Sequence, residues 1–143
     1  MCTFQRATQF ESSDVVAVIH EQLLHAATAH RIEILAYCYM PDHLHLLPTG
    51  LTEGSDVLAF VKLFRQCAGY AFRRQHPQRL WQEGFYDRIL RDEDSTLEVI
   101  AYIVANPVRG GLCAAPVEYP HCGSSRYTLE ELAEAVQWSR PRG

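Results

Sequence analysis

The segment AYCYMPDHLHLLPTG, residues 36–50, holds two histidines, His43 and His45, separated only by Leu44. On an extended chain, side chains alternate between faces, so both imidazoles project from one side and Leu44 from the other, with the histidine Cα atoms about 6–7 Å apart. Two imidazoles at that spacing can converge on one divalent ion. They can equally be ordinary strand residues, because with seven histidines in 143 residues a single such pair arises by chance. A working metal site needs a third ligand and a reacting group. The segment STLEVIAYIVANP, residues 95–107, offers candidates for both. At about 100° per residue, a helix here gathers Leu97, Ile100, Ala101 and Val104 into an apolar stripe. Tyr102 and Asn106 lie off that stripe and, four residues apart, are neighbours. A phenol hydroxyl and an amide oxygen are thus presented together; the competing reading makes Tyr102 a partly buried aromatic and Asn106 a helix-end residue.

The elements that must position these groups follow from the pattern of the chain. Thr3 to Gln5 reads as the end of a first strand. ESSDVVAVIHEQLLHAATAH reads as a helix capped around Ser12, Ser13 and Asp14, with Val15, Val18, Ile19 and Leu23 inward. His20, His25 and His30 recur every five residues on it, which scatters them around the helix. RIEILAYCYM is rich in strand-forming types and predicts a strand over Ile32 to Met40. Pro41-Asp42 makes a turn, and HLHLLP a second, antiparallel strand. A helix is expected from Thr52 to about Gln75, with Val57, Phe60, Val61, Phe64 and Ala68 inward. A strand is expected over Tyr86 to Arg91. The clearest helix follows, with a capping box at Ser95 and Glu98 and a stop at Pro107, Gly110 and Gly111. The tail from residue 113 is expected to lie on the outside as a loop and one short helix. The pattern predicts one α+β domain over residues 1–143, a sandwich with helices on one face of a mainly antiparallel sheet.

Composition narrows the class. No apolar run approaches the roughly 20 residues a bilayer span requires. The five cysteines, at 2, 38, 67, 113 and 122, are odd in number and contain no CxxC pair. They read as reduced thiols of a cytoplasmic protein. The net charge is −4, but its distribution is uneven. Between residues 62 and 91 stand Lys62, Arg65, Arg73, Arg74, Arg79, Arg88 and Arg91 against only Glu83 and Asp87, a local charge of +5 that leaves −9 elsewhere. Such asymmetry suits a polyanion-binding face or, more plainly, a solvated helix face.

Three segments, MPDHLHLL, LWQEGFYDRILRDE and YIVANPVRGGL, in this order and spacing resemble the REP-associated tyrosine transposases of the HUH superfamily of single-strand DNA transposases and nucleases. The resemblance covers roughly residues 30 to 127. It implies a ferredoxin-like fold of the HUH-nuclease type, with the histidines on a central strand. It further implies that His43, His45 and Asn106 hold a catalytic Mg²⁺ or Mn²⁺, and that Tyr102 is the nucleophile that becomes linked to a 5′-phosphate. The expected partner is single-stranded DNA with hairpin structure. Lys62, Arg65, Arg73, Arg74, Arg79, Arg88 and Arg109 are the candidate DNA contacts, and some of Phe64, Tyr70, Phe72, Trp81, Phe85 and Tyr86 the candidate stacking platforms. A homodimer is among the assemblies the resemblance allows. The chain departs from relatives in its short lead-in before the first helix, which is expected to trim the first strand. The function expected is a metal-dependent single-stranded DNA endonuclease and strand-transferase. The alternative is a domesticated hairpin-DNA-binding protein without catalysis, and a zinc hydrolase of small substrates is a third reading that leaves the basic segment unexplained.

Overall fold

The computed structural model describes residues 1–84 and 93–139. Helix α1 spans Ser13–His30, strands β1 and β2 span Ile32–Met40 and His43–Gly50, and helix α2 spans Val57–Arg73. Helix α3 follows at Glu93–Arg109, the two-residue strand β3 at Cys122–Gly123, and helix α4 at Leu129–Ser139. The three strands form an antiparallel sheet in the order β2-β1-β3. The strand expected over Tyr86–Arg91 lies outside the described residues.

Strand β1 is buried on both faces. One core joins Ile32, Ile34 and Tyr39 of β1 and Leu44 of β2 to α1 and α2, through residues such as Ile19, Leu23, Phe60 and Phe64. The other joins Ala36, Cys38 and Met40 to Ile100, Ile103 and Val104 of α3 and Leu132 of α4. The register shifts between Ile34 and Ala36, leaving Leu35 as an extra residue that joins this second core. Helices therefore cover both faces of the sheet, where one covered face was expected. The reason lies in the tail. It packs into the second core with Tyr119 and Leu132 buried, and Cys122 pairs with Cys38. Far from lying outside, it supplies a strand and part of the core.

Element ends show where local chemistry outweighed pattern. Helix α2 begins at Val57 and not at Thr52, because the Asp56 side chain accepts from the Ala59 N–H and caps it there. Val57, expected inward, is 38% exposed, and Leu97, expected on the α3 stripe, is 57% exposed. Helix α3 starts at Glu93, two residues before the Ser95 expected as its cap. It also runs through Pro107 to Arg109. Its stop is made by glycine: Gly111 takes φ +74°, its N–H bonds to Val108 O and that of Leu112 to Pro107 O. These two bonds close the helix in the manner of a Schellman cap.

The first residues form a brace where a strand end was expected. Cys2 and Thr3 make single bridges to His43 and Trp81, and Phe4–Arg6 turns as a 3₁₀ helix. The brace grips the hairpin turn. Thr3 N–H bonds to Asp42 O at 3.0 Å, Phe10 N–H to Pro41 O at 3.0 Å, and Leu44 N–H to Met1 O at 2.8 Å.

Because Leu132 is a fully buried part of the second core, Leu132→Ala is expected to destabilise the protein by about 2–4 kcal/mol. Urea unfolding measures this; a loss below about 0.5 kcal/mol is what a merely external tail would give.

Candidate functional site

Leu44 points into the α1/α2 core, so the pleat turns His43 and His45 to the opposite face, beneath α3. There the two rings stand edge to face, with Nε2 of one 3.1 Å from Nε2 of the other. His43 lies opposite Met40 and His45 opposite Cys38 on β1. The Nδ1–H of His43 donates to Asp42 Oδ1 at 2.7 Å, and Arg6 Nε donates to Asp42 Oδ2 at 2.8 Å. Asp42 was read from sequence as a turn residue alone; its carboxylate also orients a histidine. Nothing local in the sequence announces Arg6, which stands 36 residues from Asp42.

Helix α3 lays its candidate groups over the pair. The Tyr102 ring meets His45 at 6.0 Å between centroids and 87° between planes, and Tyr102 remains 53% exposed. Arg109 places its guanidinium 4.0 Å from the Tyr102 ring centroid and donates to the Tyr102 carbonyl at 2.8 Å. Asn106 lies one turn beyond Tyr102. One turn further, at Gly110, an added Cβ would stand 3.1 Å from Met40, the strand partner of His43. Asn106 lies on the helix between these two contacts, and its buried Nδ2 has no hydrogen-bond partner.

These features bear on whether the residues fit a metal ion. Among the described residues no three His, Cys, Asp or Glu side chains gather into a metal-holding cluster, so within them a metal would need a ligand of another type beside the two imidazoles. Asn106 carries an amide oxygen of the hard type such an ion takes, and its amide nitrogen is buried without a hydrogen-bond partner. The two Nε2 atoms stand 3.1 Å apart, close enough for both imidazoles to reach one divalent ion.

Electrostatics favour neutral imidazole at His45. Burial first, then His43, the N-terminal ammonium and Arg109, push its pKa down to about 4. At Asp42, desolvation pushes the carboxyl upward, but hydrogen bonds from His43 and Arg6 outweigh it and hold the group below its ordinary value. The brace carries strain as well. Gln5 and Arg6 both have positive φ, 55° and 54°, a conformation that costs a residue with a side chain on the order of 1–3 kcal/mol.

The expected DNA-contact residues divide. Lys62, Arg73, Arg74 and Arg79 are exposed, Arg79 lying 5.0 Å over the Phe4 ring. Arg65 is drawn inward: it donates to Gln82 O at 2.7 Å and lies 5.4 Å over Trp81. Of the aromatics, Phe64, Phe72 and Trp81 are buried in the core, while Tyr70 is 70% exposed at the surface of α2. Arg88, Phe85 and Tyr86 lie outside the described residues. Two clefts, of about 210 and 220 Å³, lie between α1 and α2 and between α3 and α4, and neither is lined by His43, His45, Tyr102 or Asn106. Tyr102 and Arg109, which overlie the pair, are exposed. No helix among the described residues is long and apolar enough to cross a membrane.

An α+β sandwich here sets two adjacent sheet-borne imidazoles beside an exposed helix-borne tyrosine. The chain belongs to the IS200-like transposase family, whose sequence model matches residues 1–106. Among curated proteins it is similar to a Haemophilus influenzae protein assigned as a REP-associated tyrosine transposase, at 29% identity over 112 residues, 70% of this chain. The match spans 63% of that relative's length. A solved structure of a REP-associated tyrosine transposase bound to a REP hairpin shares the fold, with a TM-score of 0.73 at 18% identity, over 85% of this chain and 71% of that one. The resemblance to REP-associated transposases and the α+β fold expected from it agree with these findings.

With a folded pKa of about 4 for His45 against about 6.5 unfolded, the unfolded chain takes up the proton first on acidification. Stability is therefore expected to fall as pH drops from about 6.5 towards 4. His45→Gln should flatten its share of that slope, measured by urea unfolding at stepped pH.

Proposed function

We propose that this chain is a metal-dependent single-stranded DNA endonuclease and strand-transferase that cuts hairpin-forming repeat DNA through a 5′-phosphotyrosine intermediate. The observation that carries the reading is Tyr102 lying against the His43–His45 pair, with Asn106 one helical turn further on, in an IS200-like transposase. The DNA class is suggested by the hairpin-bound structure that shares the fold.

His43, His45 and Asn106 would hold Mg²⁺ or Mn²⁺, which when bound supplies Lewis-acid stabilisation of charge on the scissile phosphate. The chain's own residues do the rest. The Tyr102 oxygen bonds to phosphorus while the bond from phosphorus to the 3′-oxygen breaks. The phenol gives up a proton and the departing 3′-oxygen gains one. The covalent link preserves the energy of the phosphodiester, so a second 3′-hydroxyl can displace Tyr102 and reseal the strand. Arg109, stacked on the ring and bonded to the Tyr102 carbonyl, holds the nucleophile and brings a positive charge to the edge where phosphate arrives. The exposed Lys62, Arg73, Arg74 and Arg79 would track the DNA backbone, with Tyr70 free to stack on an unpaired base.

The test incubates the protein with labelled hairpin oligonucleotides drawn from repeats beside its own gene, in Mn²⁺ or chelator. Expected is a metal-dependent protein–DNA adduct that survives denaturation, with none formed by Tyr102→Phe, which still binds the hairpin. His43→Ala should lose both the adduct and most of the Mn²⁺ affinity. Hairpin binding with no adduct under any metal would favour a DNA-binding protein without catalysis.

A further inference from the structure

The turn that delivers the histidines holds contacts the proposed reaction does not use. Asp42 spends one carboxylate oxygen on His43 Nδ1, at 2.7 Å, and the other on Arg6 Nε, at 2.8 Å. Arg6 is fixed in turn: its Nη1 donates to Cys2 Sγ at 3.1 Å, and Cys2 bridges to His43. Arg6 and Gln5 hold left-handed backbone angles that residues with side chains rarely adopt. Thr3, fully buried, donates its hydroxyl to Ala7 O at 2.7 Å and Asp42 O at 3.1 Å, closing the loop that carries Arg6 back onto the turn.

Stability alone does not account for this arrangement. The Arg6 side chain is 54% exposed and that of Asp42 25%, and ion pairs so placed contribute little to folding. Yet the backbone is bent unfavourably at two successive residues to bring Arg6 there. Strain that the surroundings maintain for so small a return belongs with function.

We propose that Arg6 and Asp42 are positioning residues of the metal site, an inference that rests on the metal reading given above. A neutral imidazole has one N–H. The Asp42 carboxylate accepts from Nδ1–H, which leaves the lone pair on Nε2 facing His45. The ring cannot turn over without breaking the 2.7 Å bond. Arg6 holds the carboxylate in place from its second oxygen. The two ligands are therefore unequal. Among the described residues no carboxylate touches His45, so His43 is the pre-set ligand and His45 the one that adapts. With Nδ1–H on His43, the hydrogen in the 3.1 Å gap between the two Nε2 atoms would belong to His45, whose ring would have to change tautomer to act as a ligand.

The experiment uses the full chain in two measurements. Long-range ¹⁵N–¹H correlation spectra of the metal-free protein report the His43 tautomer, and calorimetric titration with MnCl₂ reports metal affinity. In the wild type, His43 is expected as the Nδ1–H tautomer. Asp42→Ala should mix the tautomers and weaken Mn²⁺ binding by roughly 10–100-fold. Asp42→Asn, whose amide oxygen still accepts from Nδ1–H, should keep the tautomer and lose less affinity. Arg6→Lys, which retains the charge, should lose less again than Arg6→Ala. Should Asp42→Ala fail to fold by circular dichroism, the Asp42→Asn and Arg6 pair carry the comparison. Folded Asp42→Ala with an unchanged tautomer and wild-type Mn²⁺ affinity overturns this inference alone. A wild type that takes up no Mn²⁺ overturns the metal reading, and this inference with it.

Discussion

The pairing of β1 with β2 governs the rest of the molecule, because β1 is buried on both faces and leaves its partner no freedom of register. Tyr39 must face α1 and α2, Cys38 and Met40 must face α3 and α4, and the strand across from them inherits that alternation. Leu44 answers to the first core, so its two neighbours answer to the second side. A slip of one residue would drive both imidazoles into a cluster of phenylalanines and expose Leu44, exchanging a favourable burial for two desolvated polar rings. The site therefore owes its geometry to hydrophobic packing, and the polar contacts at the turn refine an orientation that the pleat has already chosen.

Around the site the usual rules of a well-satisfied interior relax. Asn106 buries an amide nitrogen with no partner, and His45 sits where burial and neighbouring positive groups make a proton unwelcome. Gln5 and Arg6 hold an unfavourable backbone. Departures occur elsewhere too, as at Arg31, whose φ of 54° ends α1, but several of them gather beside the histidine pair. Local frustration gathered at one surface is the physical mark of a site kept for function.

Much of this was legible in the residues themselves. Ile32 to Met40 is dense in β-branched and aromatic types, and its strand falls where those types predict it. The i, i+2 spacing of the histidines and the i, i+4 spacing of Tyr102 and Asn106 put each pair on one face, because those periods are fixed by backbone geometry. That the two pairs meet is a tertiary fact, and sequence could only suggest it through resemblance. Other features were hidden for definable reasons. Strand β3 is two residues long and has no periodicity to read. The α2 start was missed because Asp56 caps it more strongly than apolar spacing suggests. Leu97 lies on the computed stripe yet stays exposed, since a stripe gives a direction and not the extent of the neighbour that covers it. The link from Arg6 to Asp42 joins residues far apart in the chain and leaves no local trace.

The exposure of Tyr102 carries a consequence for inhibition. The phenol stands more than half open, and a polymer can reach it while most of the polymer is held elsewhere. A drug-sized competitor has no such option. It must draw its affinity from area it can cover, and an exposed ring offers little of that. Blocking such a surface calls for a chelating head group or an oligonucleotide mimic, and shape-matching to a pocket would be a poor starting point.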